Sequence, residues 1–270
     1  MDIQTEDRAL VGESLRLAAV EPARSPSKVD PRLAELRGEA MRRLFPKSRA
    51  VSGRLEGRIA QRIYAHLAGA DTVEDLQRRI LSASRYPTEL VEEVRLRDGR
   101  VVLVRPVLSS DAAMQRTFVR SMSAATRRNR FHGGVADLPV AMLRYMTEVD
   151  HVDHLALVGE IQDVSGPRQV AEARWVRRGD APERADFAIA IADDCQQSGL
   201  GNALLGMLER SAAARGINRL CAHVLQTNRR MIGWLQAREW QVACDPDDPA
   251  VVCAEFPLRS EAASVWREAA

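Results

Sequence analysis

Residues 186–216 read DFAIAIADDCQQSGLGNALLGMLERSAAARG, and a change of hydrophobic period inside this stretch decides the fold. The first part belongs to a short apolar run, Arg184 to Ala192, that predicts a strand. The last part, Gly199 to Arg215, repeats Leu200, Leu204, Met207 and Leu208 at helical spacing and stops at Gly216, a residue that ends helices. Between them stands Gln196-x-x-Gly199-x-Gly201. Strand, glycine loop and helix in this order form a pyrophosphate-binding arrangement. The first N–H groups of a helix point outward, its dipole favours negative charge, and glycine lets a ligand approach the backbone. The loop differs from a dinucleotide fingerprint, which needs G-x-G-x-x-G in a βαβ unit with an acid about 20 residues on. It also lacks the Lys-Ser/Thr ending of a nucleoside triphosphate loop.

Working outward, a strand is expected at Arg219 to Leu225, a helix at Asn228 to Arg238, and strands at Gln241 to Cys244 and Val251 to Phe256. Upstream, His154 to Ile161 and Gln169 to Val176 read as strands, preceded by helical pieces at Leu138 to Thr147 and Ala124 to Arg130. A further helix, capped by Ser110 or Asp111, runs to about Met122. Val94 to Leu96 and Val101 to Val104 flank Asp98-Gly99, a two-residue hairpin signal. Before Pro87 the pattern is helical. Leu33, Leu36, Ala40 and Leu44 share one face, Leu55, Ile59, Ile63 and Leu67 another, and Val73, Leu76 and Ile80 follow an Asp71/Glu74 cap. The expected class is α+β: a mixed, mostly antiparallel sheet flanked by helices and preceded by a small helical segment. The expected boundaries are an arm over 1–30, the helical segment over 31–90, the main domain over 92–258 and a tail over 259–270.

Composition narrows the partners. Lys+Arg 39 against Asp+Glu 37 gives a net charge of +2, too small to argue globally for nucleic acid or membrane. The stretch Arg42 to Arg62 is locally basic, a feature met more often as a solvated helix face than as a nucleic-acid surface. Lysine occurs only at Lys28 and Lys47. Cys195, Cys221, Cys244 and Cys253 form no C-x-x-C pair and no zinc-type spacing with the histidines, so no metal is expected and the thiols read as reduced. Without an apolar run of bilayer length or a leader pattern, the sequence reads as cytoplasmic, with no membrane partner.

The loop gains meaning from the residues downstream of it. Gln196-x-x-Gly199-x-Gly201 after a strand, then Val224-Leu225-x-x-Asn228-x-x-Met231, resembles the acyl-CoA site of the GNAT superfamily. Further strings resemble its bacterial protein lysine acetyltransferase branch. They are Arg105-Pro106 followed by Ser109-x-Asp111, Arg130-Phe131, YMTEVDHVDHLALV (145–158) and ADFAIAIADD (185–194), and together they cover about 92–257. The resemblance implies a GNAT-like sheet and acetyl-CoA as cosubstrate. Backbone at Ala190 and Ile191 would hold the pantetheine arm, the loop Gln196, Gln197, Ser198, Gly199, Leu200, Gly201 and Asn202 the pyrophosphate, and Asn228 a further contact. Departures are visible. Relatives often carry Gly-Arg at Gln197-Ser198, a Trp at Cys195, Gly-Phe at Glu239-Trp240 and a Tyr at Leu235.

A lysine amine, with a free pKa of about 10.4, arrives protonated and needs a base. Relatives place a Glu where Asp186 stands, so Asp186, one methylene shorter, is the first catalytic candidate, working through a water relay. Its ordinary alternative is a strand-end pair with Arg184 or Arg174. Glu172 is the second, on the same face as Arg174, with an exposed ion pair as its ordinary reading. Backbone N–H groups near Ala188 to Ala190 would polarise the thioester. The implied activity is acetyl transfer to a primary amine, a lysine on a protein or else a small amine. The shortened Asp186, absent Tyr and altered loop also fit a non-catalytic acyl-CoA-binding regulator.

Overall fold

The computed structural model describes residues 32–44, 54–164 and 166–258. The expected arm and tail, and both lysines, lie outside them. The strands are β1 (Glu92–Arg95), β2 (Val101–Pro106), β3 (His154–Asp163), β4 (Gly166–Arg177), β5 (Arg184–Ile191), β6 (Arg219–Leu225), β7 (Gln241–Cys244) and β8 (Val251–Pro257). The helices are α1 (Arg32–Leu44), α2 (Arg54–Ala68), α3 (Val73–Ser84), α4 (Ala112–Ser121), α5 (Ala124–Phe131), α6 (Val140–Thr147), α7 (Leu200–Ala214) and α8 (Arg229–Gln236).

One sheet runs in the order β1-β2-β3-β4-β5-β6-β8-β7, antiparallel except at β5–β6. The hairpin across Asp98-Gly99 forms as expected, with Gly99 at φ +90°. At the sheet centre Gly159 is required by closeness. A Cβ there would stand 3.0 Å from Val102 Cγ1 and 3.2 Å from Ala171 Cβ, and the β3–β4 register shifts beside it. The apolar stripe of α7 buries Leu204, Leu205 and Leu208 against the sheet. Trp175 of β4 is wholly buried beneath it and donates its indole N–H to Ser211 Oγ at 2.9 Å.

The three N-terminal helices pool Leu33, Ile63, Leu67 and Leu76 into a second core that Leu108 of the main domain joins. Thr72, not Asp71, caps α3. Its backbone is extended and its hydroxyl accepts from Asp75 N at 3.1 Å, which leaves Asp71 one residue too early. Neither Ser110 nor Asp111 makes a side-chain cap for α4. A short 3₁₀ turn (Ser109–Asp111) intervenes, and the Asp111 carboxylate instead accepts from Leu108 N and from Arg105 at 2.7 and 2.8 Å. Arg105 also reaches Glu160, to which Arg62 of α2 donates at 2.6 Å, while Arg58 donates to Glu93 and Tyr86 OH to Pro106 O. Two arginines of the basic stretch are therefore spent on docking the helices to the sheet. Breaking such a network from one side costs about 3–5 kcal/mol, because a buried charge is left behind. Among the described residues no helix is long and apolar enough to cross a membrane, and every basic residue other than histidine is arginine.

Candidate active site

The site is created by an interruption in pairing. Residues 185–191 of β5 pair continuously with 171–177 of β4, but on the other side only Arg184, Ala185 and Asp186 pair with β6. Beyond Asp186 the two strands part, so alternate residues of Phe187–Ile191 turn N–H and C=O groups into the gap. A cavity of about 730 Å³ fills it, lined by Ala190, Ile191, Gln196, Gln197, Gly199, Gly201, Asn202 and Asn228.

The loop before α7 is pinned by its acceptors. Asp193 accepts from Ser123 N and Oγ and from Thr126 Oγ1, tying it to the start of α5. Asp194 accepts from Arg100 and Arg168. The carbonyls of Ser198 and Gln197 accept from Arg97, through its backbone N–H at 3.0 Å and its guanidinium at 3.3 Å. Gln196 Nε2 donates to Ile191 O at 3.0 Å while its Oε1 accepts from Arg230 at 2.6 Å. Asn202 N and Ala203 N donate back to Gly199 O at 3.1 and 3.3 Å, so the N–H groups ahead of them, at the very start of α7, are the ones that face a ligand. Gly199 sits at φ +97° with no heavy atom within 4 Å of where a Cβ would be, a cradle suited to an anion.

The expected cofactor residues thus divide. Ser198 turns away, its hydroxyl donating to Cys195 O at 2.6 Å, and Leu200 is fully buried, so neither side chain lines the cavity. Asn202 accepts from Trp234 Nε1 at 2.9 Å, and Asn228 caps α8 by accepting from Met231 N at 3.2 Å. Arg97 and Arg230, both lining the cavity, were missed by sequence reasoning. Arg97 is 100 residues from Gln197, and only its place beside the Asp98-Gly99 turn could have drawn notice.

A second cavity, about 640 Å³, adjoins the first and shares Arg130, His132, Phe187, Ala188 and His223 with it. Asp186 lies in its wall, with Phe131, Leu138, Met142 and Tyr145 supplying apolar surface. Arg184 is salt-bridged to Glu255 and Arg174 to Glu172. Glu172 lines neither cavity, and its ion pair is buried rather than exposed: it is 1% accessible and held by Arg130 and Arg174. Burial raises its pKa, but the two guanidiniums prevail and lower it to about 2.

Other titratable side chains of the domain are engaged elsewhere. Asp150 Oδ1 accepts three backbone N–H groups, from Val152, Asp153 and His154, and so forms a turn. His154, lowered to about 3 by burial and by Arg174, packs on Tyr145, and His151 meets Tyr86 edge to face. Cys195 is buried, and burial raises its thiol pKa. Leu235, at the place of the missing Tyr, is wholly buried.

The sequence pattern of the acetyltransferase (GNAT) family matches residues 153–239. Acetyltransferase Pat of Mycolicibacterium smegmatis is 34% identical over 167 residues, 62% of this chain and 48% of that protein, so the chain spans about half of that relative. Acetyltransferase PA5475 of Pseudomonas aeruginosa is 30% identical over 163 residues, 60% of this chain and 87% of that protein. The crystal structure of the GNAT domain of S. lividans PAT matches with a TM-score of 0.59 at 29% identity, covering 64% of this chain and 99% of that one. The parted strands, the glycine loop and these likenesses agree: the chain belongs to the GNAT acetyltransferase family and is homologous to the acetyltransferase Pat.

Proposed function

We propose that this chain transfers an acetyl group from acetyl-CoA to a primary amine, and that the amine is the side chain of a protein lysine. The observation that carries the reading is the meeting of two cavities where β5 leaves β6. One has a phosphate-suited loop, the other holds Asp186, and they share Phe187, Ala188 and His223. Anionic phosphates suit the N–H groups around Gly199 and the nearby Arg97 and Arg230, and a pantetheine arm suits the open edge of β5.

In the second cavity the apolar walls suit the four-carbon stem of a lysine, with its polar end at Asp186. Asp186 takes the proton, directly or through one water, and the amine then attacks the thioester. A carboxylate held near 2 has too little proton affinity for that task, so Glu172 acts by fixing Arg130 and Arg174 in the cavity wall. The branch-specific strings and the homology to Pat support a protein acceptor. The same reading puts the protein in the cytoplasm, where its thiols stay reduced.

The test is incubation of the full chain with acyl-labelled acetyl-CoA and a native lysate, followed by separation of macromolecular from small-molecule label. Label on protein lysines is the expected result. Label confined to small amines would replace the acceptor. Stabilisation by acetyl-CoA with neither label nor thiol release would make the protein a regulator.

A further inference from the structure

Three side chains that the proposed proton transfer does not use converge where β6, β8 and the end of β7 meet. His223 on β6 and Cys253 on β8 are direct cross-strand partners in the antiparallel ladder, so their side chains leave the same face side by side. Asp245, which follows β7, is brought against them by a tight turn. Its Oδ1 accepts from Asp247 N at 2.9 Å and Asp248 N at 3.2 Å, which fixes the carboxylate, and its Oδ2 accepts from the Cys253 thiol at 3.1 Å. One donor atom from each of the three lies within 4.8 Å of the other two, and all three residues are half-buried. Among the described residues this is the one place where three such groups gather.

We propose that His223, Asp245 and Cys253 form a binding site for a zinc-class divalent cation. The donor chemistry selects the class. An imidazole nitrogen and a thiolate sulfur beside one carboxylate oxygen suit zinc, whereas hard magnesium and calcium take sets of oxygen ligands. Ionised Asp and Cys supply two negative charges against the ion's two positive, so the bound site is neutral overall. On binding, the Cys253 S–H proton goes to solvent, the sulfur–metal bond forms, and water fills the fourth tetrahedral position. Donor separations of up to 4.8 Å need only a small closure around one ion, which the turn at Asp245 and the side-chain torsions of His223 can supply. Because His223 also lines both cavities, the ion would sit next to the site without being one of its parts.

The experiment is titration of chelator-stripped full-length protein with cobalt(II) under anaerobic, thiol-free conditions, followed by zinc(II) competition. A thiolate-to-cobalt charge-transfer band saturating at one equivalent and displaced by zinc is expected. Cys253→Ser should abolish the band. His223→Ala and Asp245→Asn should each weaken zinc by more than the roughly 10–100-fold known for loss of an outer-shell partner, and Cys244→Ser should leave binding intact. No thiolate band in folded protein, or a band that survives Cys253→Ser and disappears in Cys244→Ser or Cys221→Ser, would overturn the site. Circular dichroism of each variant separates loss of ligand from loss of fold, and failure of acetyl transfer would not bear on the result.

Discussion

The two edges of β5 do opposite things. Toward β4 the strand is paired without a break and the charged group beneath it, Glu172, is buried and matched by two arginines. Toward β6 pairing ends at Asp186, and the polar groups beyond it face a cavity. The difference teaches how one strand can be scaffold on one side and site on the other. Glu172 loses its basicity to its two guanidiniums, and under the proposed function the base is instead Asp186, in the wall of the second cavity.

Substitution can break that comparison. The largest effect is expected at Asp186→Asn: turnover falls roughly 10²–10⁴-fold, with acetyl-CoA affinity and thermal stability nearly kept. Full activity in steady-state assays would reduce Asp186 to a structural group. Next, Gly199→Asp brings a like charge to the anion cradle. At an effective dielectric constant near 20 this is worth roughly 4 kcal/mol, or about a thousandfold in acetyl-CoA affinity by calorimetry. Unchanged affinity in folded protein would remove the loop from the site.

Glu172→Gln should reverse the pattern of Asp186→Asn, costing about 3–5 kcal/mol of stability because Arg130 and Arg174 lose their buried partner. Its pH signature has a definite sign. The folded pKa, about 2, lies below the ordinary 4.5, so the stabilisation is present above 4.5 and is lost as pH falls toward 2. The stability gap between wild type and Glu172→Gln should therefore close over that window, and a gap constant with pH would refute the ion-pair account. Arg97→Gln should raise KM for acetyl-CoA about tenfold with kcat unchanged, the cost of one charge-assisted contact of about 1.5 kcal/mol. A fall in kcat alone would mean that Arg97 shapes the loop without meeting the phosphates.

The smallest effect concerns two departures from the family pattern. Gln197 and Glu239 stand where relatives often carry glycine, and both adopt left-handed backbone, at φ +59° and +64°. Such residues cost about 1–2 kcal/mol. Glu239→Gly should accordingly raise Tm by a few degrees, and a lower Tm would show that its side chain compensates.

Much of this was legible in the sequence because it is local. The strand, loop and helix from Arg184 to Gly216 follow from spacing alone, and the three N-terminal helices from their apolar stripes. Strand alternation put Glu172 and Arg174 on one face, but it says nothing about what covers that face, so the pair's burial was missed. Thr72 displaced Asp71 as a cap because one residue of offset decides which hydroxyl or carboxylate reaches the third amide. Arg97 was unreadable because its contact with the loop joins positions 100 apart.

The arginine-only fold has a chemical consequence under the proposed activity. A guanidinium stays protonated at any physiological pH and offers no nucleophilic lone pair to a thioester. The arginines surrounding a bound acyl donor are therefore inert to it, however high the local concentration. Self-modification of ε-amines has only two addresses in the whole chain, Lys28 and Lys47, both upstream of the sheet. Any acyl mark on the protein's own lysines can lie only at those two positions.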